Sequence, residues 1–139
     1  MAFAIHTVEG GRIPAFKYLP AGAITPKLGL ALVESSGNLV LATGTTKPTH
    51  ICMIEGSAAL TAGDIIPVVD VMPDMIFETT FSASASSIKK GDRVTLASNG
   101  AQVTATKTHG VATIVAGDGG ASGAKCLVRF EADAATYSG

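Results

Sequence analysis

The sequence has little charge, few aromatic residues and no tryptophan. Charged residues make up 15% of its 139 residues, aromatic residues make up 5%, and the formal net charge is −1. Nucleic-acid binding needs clustered cations to neutralise phosphates and usually exposed rings for stacking. The sequence contains no run of Lys and Arg, so we expect no nucleic-acid partner. The lack of Trp, with only two Tyr, also argues against a carbohydrate-binding domain.

The low charge has a consequence for the surface of the protein. An ordinary soluble domain carries roughly 25% charged residues, whereas this chain carries 15%. Its mean hydropathy is +0.40. Ala, Gly, Thr and Ser occupy positions where Lys and Glu are usual. Such a surface favours contact with other protein. We therefore expect an oligomer or a component of a larger lattice.

The sequence also lacks targeting and membrane signals. Its first residues carry no early positive charge, and His6, Thr7 and Glu9 interrupt their apolar stretch, which excludes a signal peptide of the usual kind. The richest apolar window, Ile65–Phe77, is broken by prolines and aspartates and falls short of the ~18 residues of a membrane helix. We expect no membrane partner and folding in a cytoplasm. The two cysteines, which lie in apolar runs, are expected to be buried free thiols.

Short apolar segments separated by turn residues dominate the rest of the chain. This pattern predicts an all-β fold, a small antiparallel barrel or sandwich with about nine short strands and little or no helix. Residues 57–62 could form one helical turn, and Pro67 favours an edge position for its strand. The expected strands are Leu28–Val33, Leu39–Thr43, Ile51–Ile54, Ile65–Val71, Ile76–Ser82, Val94–Ala97, Val103–Thr106, Val111–Ala116 and Cys126–Glu131.

The chain also contains an internal similarity. Residues 28–56 and 93–117 each have an apolar strand, a Ser/Asn/Gly turn and a second strand. In each, a Lys-Thr-His step, with a Pro after the Lys in the first, is followed by another apolar strand and a closing Gly. A Gly-Asp pair precedes a strand at Gly63-Asp64 and again at Gly91-Asp92. We expect residues 21–139 to form a single β-domain containing two similar β-modules.

Residues 1–20 are predicted to be an extended N-terminal arm. Gly10 and Gly11 interrupt the segment, Pro14 and Pro20 prevent a helix, and apolar side chains occur along it. An arm of this kind packs on a neighbouring molecule; the alternative is a first strand of the same sheet. Together with the apolar segment after Gly63, it supplies the candidate interface residues Phe3, Ile5, Ile13, Phe16, Tyr18, Ile66, Val68 and Met72.

No pattern of catalytic or ligand-binding residues stands out. His50 and Cys52 alternate on one strand, and His109 takes the matching place in the second module, but paired zinc-ligand spacings are absent. We interpret the histidines as strand-entry residues. Residues 117–123 are rich in glycine but lead into a strand, so they do not form a phosphate-binding loop followed by a helix. We expect no catalytic residues, no metal, no cofactor and no enzymatic activity.

Several segments resemble one known class of proteins. They are the Ala21–Ile24 segment, the Gly-Asp strand starts, the Lys107–Ala112 step and the Lys125–Phe130 strand, within a body rich in Ala, Gly and Thr. Together they resemble the small β-rich decoration, or cement, proteins of tailed bacteriophage capsids.

The resemblance implies a structural virion protein. Such a protein binds the outer surface of an expanded capsid, clamps neighbouring capsomers and has the major capsid protein as its partner. It also implies self-association, with a trimer favoured, and a location on the capsid exterior after synthesis in the host cytoplasm. The alternatives are another phage structural subunit, such as a tail tube or head fibre, and a non-catalytic ligand-binding β-domain.

Overall fold

Short antiparallel strands arranged in two sheets make up the fold. The computed structural model describes residues 2–117 and 119–132, and within them one 3-10 turn, Glu9–Gly11, is the single helical element. The strands are β1 (Ala4–Val8), β2 (Phe16–Pro20), β3 (Ala31–Ser35), β4 (Asn38–Leu41), β5 (His50–Cys52), β6 (Ile65–Asp70), β7 (Met75–Thr80), β8 (Arg93–Val94), β9 (Ala112–Ala116) and β10 (Lys125–Phe130).

Each sheet has five strands. The first has the order β1-β7-β10-β9-β8, and the second has the order β2-β6-β5-β3-β4. Every strand pair is antiparallel. The predicted all-β class is confirmed, and of the two predicted architectures the structure is the sandwich, because its two sheets do not close into one barrel.

The second sheet is buried on both faces. Successive strand residues point to opposite faces, and here both members of a pair are buried: Ile51 with Cys52, and Val69 with Val68. Ile51 and Val69 belong to the main core between the sheets, whereas Cys52 and Val68 belong to a smaller cluster. Loop residues, among them Ala21, cover that second face. This double burial explains the continuous apolar run in β6, which lacks the alternation of a half-exposed strand.

The N-terminal segment, predicted to be an extended arm, contributes two strands to the domain. β1 is the edge strand of the first sheet, beside β7, and β2 is the edge strand of the second, beside β6. Phe3 is 1% exposed, and its ring packs edge-on against Phe130 with the centroids 5.1 Å apart. The segment therefore finds its partners within its own chain, which corresponds to the alternative interpretation of residues 1–20.

The edge position predicted for the strand of Pro67 is wrong. β6 lies inside the second sheet, between β2 and β5. The carbonyl of Pro67 accepts a hydrogen bond from the Met53 N–H at 3.0 Å. The nitrogen of a strand residue points to the same side as its carbonyl, so the missing N–H faces the end of β5, just beyond Cys52, where the ladder stops. The proline thus costs the sheet no central hydrogen bond.

Two smaller predictions also differ from the structure. Val103 makes isolated bridges to Phe81 and to Leu96, so the expected strand at Val103–Thr106 is not a regular strand. Residues 57–62 form bends and a turn, not a helical turn.

The two Gly-Asp turns have the same conformation. The Asp64 carboxylate accepts from the Thr61 N–H, and the Asp92 carboxylate accepts from the Lys89 N–H, each at 2.9 Å. Gly63 and Gly91 have φ values of 96° and 94°, which glycine adopts without strain. The first similar module, residues 28–56, contains β3 to β5 of the second sheet, and the second module, residues 93–117, contains β8 and β9 of the first.

Candidate interaction surface

An exposed apolar surface lies along β2 and the start of β6. Phe16 is 55% exposed, Tyr18 68% and Ile65 66%. In the β2–β6 register, Phe16 lies opposite Val69, Tyr18 opposite Pro67, and Pro20 opposite Ile65. Directly opposed residues share a face of the sheet. The three side chains therefore form one row, which we call the β2 strip.

The β2 strip lies on the face of the second sheet that elsewhere packs against the first sheet. Val69, opposite Phe16, belongs to the core between the sheets. On β2 itself the side chains of this face, Phe16 and Tyr18, are exposed. Ile13, 87% exposed, precedes the strip, and Met72, 44% exposed, lines a small cleft with Pro14 nearby.

β2 also carries unused backbone groups. The Ala21 N–H donates to the Asp64 carbonyl at 2.7 Å, and the Gly63 N–H donates to the Ala21 carbonyl at 2.8 Å. The backbone N–H and C=O groups of successive residues point to opposite sides of a strand. The groups of Lys17 therefore face β6, as those of Ala21 do, and the groups of Phe16 and Tyr18 point away from the sheet. The same two residues thus expose an apolar side chain and a free edge of backbone.

Two ion pairs flank the strip and hold its supporting segment in place. The Arg12 guanidinium donates two hydrogen bonds to Asp74, at 2.9 and 2.7 Å. On the other face of the sheet, the Lys17 ammonium lies 2.7 Å from one Asp70 oxygen, and the His50 imidazole lies 3.0 Å from the other. β2 is therefore tied by charge to β6, and the segment before β2 is tied to the turn after β6.

These contacts change the acidity of both carboxyl groups. The hydrogen bond from Arg12 lowers the pKa of Asp74. The hydrogen bond from Lys17 lowers the pKa of Asp70, with a smaller contribution from His50. Both aspartates are thus partners of the N-terminal segment.

The predicted interface residues divide into two groups. Ile13, Phe16, Tyr18 and Met72 are exposed at or beside the strip, and Ile5 is half-buried. Phe3, Ile66 and Val68, also predicted as interface residues, are core residues at 1%, 3% and 0% exposure. Ile65 was missed. The one signal for it was its place at the start of an apolar strand, and that signal is shared with the buried Ile66.

The candidate ligand residues do not converge on a metal site. In the described residues, no group of three or more His, Cys, Asp or Glu side chains is placed to hold a metal ion. The Nδ1 atom of His50 lies 2.9 Å from the Thr49 hydroxyl, and its Nε2 atom faces Asp70. His109 occupies a turn with a φ of 58°.

The cysteines are buried free thiols, as predicted. The Cys52 thiol donates to the Ile54 carbonyl at 3.3 Å. Burial raises the pKa of the Cys126 thiol to about 12. Both thiols therefore act as small core side chains.

The described surface has one notable apolar cleft besides the strip. Its volume is about 300 Å³, and it is lined by Phe3, Ala4, Ile5, Leu28, Gly29 and Met53. None of these side chains titrates. Within the part of the chain that the structure describes, no helix has the length and apolar character needed to cross a membrane.

Comparison with known proteins gives a likeness of fold. No family model matches the chain, and no curated protein matches it. Among solved structures, it is similar to the N base of the head fiber gp8.5 of bacteriophage phi29, with a TM-score of 0.54 and 14% sequence identity. The match covers 86% of this chain and 95% of that one. At this identity, the likeness shows that the two chains share a fold across nearly their whole lengths.

Proposed function

We propose that this chain is a structural protein of a phage virion that attaches to the outer surface of the capsid. The observation that carries the proposal is the fold shared with the base of a phage head fiber over 95% of that base. A match over 86% of this chain is too extensive to be a shared sub-motif. The segments that resemble capsid decoration proteins support the same class independently of the fold.

The surface of the protein is suited to a structural role. Its cations are largely neutralised inside the molecule, for example Arg93 by Glu131 and Lys125 by Glu78. Long-range charge therefore contributes little to binding, and contact depends on shape and apolar area. Attachment in many copies to a repeating shell would make modest single-site affinity sufficient.

The finer proposal is that the protein clamps neighbouring capsomers and so stabilises the expanded shell. Its partner is then the major capsid protein, and no catalytic step or cofactor is involved. A trimer, which the resemblance favours, stays a prediction.

The head-fibre base is the second candidate, favoured by the solved structure that the chain resembles. A fibre base attaches to the shell without needing to stabilise it. A tail tube and a ligand-binding domain remain further alternatives without such an observation.

The test uses expanded capsids of the phage that encodes the chain, stripped of this protein. Purified protein is added to saturation, capsid-bound protein is measured by co-sedimentation, and the disruption temperature of the shell is measured by scanning calorimetry. Binding with a raised disruption temperature is expected for the clamp. Binding without a raised temperature would favour the fibre base, and no binding at saturation would overturn both.

A further inference from the structure

We propose that the outer edge of β1, together with the apolar cleft beside it, binds a short extended segment of the shell protein as an added strand. The segment supplies backbone hydrogen bonds and one large apolar side chain. The identity of the partner rests on the proposed function, whereas the site rests on the backbone groups of Ile5, on the cleft and on the absence of protection along this edge.

The backbone groups of Ile5 point away from the first sheet. The Phe81 N–H donates to the Ala124 carbonyl at 3.0 Å, so Phe81 faces β10, and by alternation Phe77 faces β10 as well. Ile5 lies opposite Phe77, in a pair whose backbone groups point away from each other. β1 is an edge strand, and no other backbone group of the described residues bonds to Ile5 on its outer side.

The open stretch of this edge is short. Two residues before Ile5, the Phe3 N–H points to the same side and donates to the Gly29 carbonyl at 2.9 Å. On the other side, the strand register shifts between Ile5 and Thr7, and such a bulge interrupts regular pairing. An added strand therefore pairs mainly with Ile5, and its affinity must come largely from a side chain.

The apolar cleft provides the place for that side chain. Residues 3–5 line one side of it, and Leu28, Gly29 and Met53 line the other. Successive side chains of a strand point to opposite faces, so a cleft lined by three consecutive residues opens along the edge of the strand. Its volume is about 300 Å³. A cavity of about 150 Å³ holds a benzene molecule, so the cleft has room for a large apolar side chain.

An extended polypeptide is the class of ligand that satisfies both parts of the site. It offers an N–H and a C=O at the spacing of Ile5 and a side chain directly beside them. Backbone bonds then contribute affinity, and the pocket contributes specificity. The lining residues carry no charge, so the anchoring side chain is apolar.

Met53 connects the cleft to the β2 strip. It follows β5, in which Cys52 lies opposite Val68, and therefore lies opposite Pro67, which in turn lies opposite Tyr18. Directly opposed residues share a face of the sheet. A partner seated in the cleft thus has the exposed Tyr18 on the same face, two strands away.

The edge of β1 lacks the usual protection. Proline, lysine or a covering segment commonly blocks a free edge. Pro14 and Pro20 limit the edge of β2, and at β4 the Gly22 N–H donates to the Leu39 carbonyl at 2.8 Å. Residues 2–8 contain neither proline nor lysine, so the edge at Ile5 is open to strand addition.

The first test blocks the edge and measures the Kd for expanded capsids of the phage that encodes the chain. Ile5→Pro removes an outward N–H and leaves the ladder with β7 in place. Val8→Pro is the matched control. Val8 also points its backbone groups outward and packs on the main core, but it lies beyond the bulge and does not line the cleft. Ile5→Pro is expected to raise the Kd by about tenfold or more, and Val8→Pro by less than about twofold.

Two further measurements address the cleft and the backbone separately. Met53→Glu places a charge in the cleft and should weaken binding by about tenfold or more. Ile54→Glu, at a neighbouring residue that is 41% exposed and outside the cleft, should not weaken it. In the wild type, hydrogen exchange of the Ile5 amide should slow on capsid binding, as read by NMR after release. The Ala4 amide, which faces β7, should be protected already.

Several results would overturn the inference and leave the proposed function standing. They are unchanged binding by Ile5→Pro and Met53→Glu with native circular dichroism, equal weakening in the control variants, and unchanged exchange at Ile5. If Ile5→Pro does not fold, the Met53 and Ile54 pair and the exchange measurement decide. An oligomer of the wild type that Ile5→Pro abolishes would assign the edge to a second copy and overturn the inference. No binding of the wild type at saturation would overturn the proposed function as well.

Discussion

At the scale of single residues, Asp70 and Asp74 connect the N-terminal segment to the rest of the domain. Each accepts hydrogen bonds from a cation in residues 12–17, and each has a lowered pKa as a result. The connection is electrostatic and partly exposed to solvent, so salt screens it. Its strength is therefore expected to depend on pH as well as on salt.

The lowered pKa values predict a loss of stability in acid. An unfolded Asp titrates near pH 4. The stabilisation from both carboxylates is present above that value and is lost as the pH falls through their lower folded pKa values. We expect the melting temperature to fall between about pH 5 and about pH 2.5, and to fall less in the Asp70→Asn variant, which starts from a lower value at neutral pH. Equal slopes for the two proteins, measured by circular dichroism, would contradict this assignment.

The same substitution is expected to have a large effect on stability at Phe3 and a small one at Phe16. Phe3→Ala removes a fully buried ring and should lower the free energy of unfolding by about 3–5 kcal/mol. Phe16→Ala removes an exposed ring and should change it by less than about 1 kcal/mol in the monomer. Denaturant unfolding at low protein concentration measures both. A small effect at Phe3 would indicate that the N-terminal residues are not part of the core.

The burial of the two thiols can be tested by their reactivity. The raised pKa of Cys126 reflects burial, and the thiolate is the reactive form. The folded protein should therefore show no thiol reactive toward a disulfide reagent at mildly alkaline pH, and both thiols should react after denaturation. Rapid reaction of one thiol in the folded state would indicate local opening around it.

At the scale of elements, one turn depends on a single missing side-chain atom. A Cβ atom on Gly110 would lie 2.5 Å from the backbone carbon of Arg93 and 2.6 Å from the nitrogen of Val94. The turn at residues 107–110 is thereby held directly against β8. Gly120 is its counterpart without this constraint, because its nearest neighbour would be 3.8 Å away.

We therefore expect Gly110→Ala to destabilise the fold by more than about 2 kcal/mol. Gly120→Ala should be close to neutral. Thermal and denaturant unfolding of the two variants provide the measurement, and similar stabilities for the pair would rule out tight packing at this turn.

The strands were predictable from the sequence where their neighbours in space are also near in the chain. β3 and β4 follow from an apolar pattern around a local turn, and β9 and β10 follow from alternation. The roles of Phe3, Phe16, Ile65 and Ile66 were not predictable. All four are apolar residues at the ends of short segments, and their burial depends on whether the other sheet or a loop extends over them.

The same limit applies to Pro67. The residue type favours an edge strand, but its real position depends on where β5 ends, which is a property of a different part of the chain. For the candidate surface, four exposed residues of the predicted set were identified because the sequence marks an apolar N-terminal segment. The grouping of β2 with Ile65 required the β2–β6 register.

At the scale of the whole molecule, the N-terminal residues contribute an edge strand to each sheet. The chain passes from β1 in the first sheet to β2 in the second through the Glu9–Gly11 turn. The segment thus joins the two sheets at their edges. It is structurally required in a way that a capsid-binding arm would not be.

Deletion of residues 2–8 tests this requirement. The deletion removes β1 and Phe3, exposes the edge of β7 and leaves a gap in the main core. We expect the shortened chain to be unfolded or aggregated, as judged by circular dichroism and dispersion of amide resonances. A shortened chain that folds with native stability would support the arm interpretation.

The packing of Phe3 against Phe130 has a consequence for how the protein is made. β1 and Phe3 find their partners in β7 and in the ring of Phe130, which are synthesised much later. Contacts of such high sequence separation carry a large loop-closure entropy and slow the folding of β proteins. The core cannot be completed until β10 has been synthesised. Completion of the core is therefore expected to be a late step of folding, in which β1 and Phe3 wait for β10.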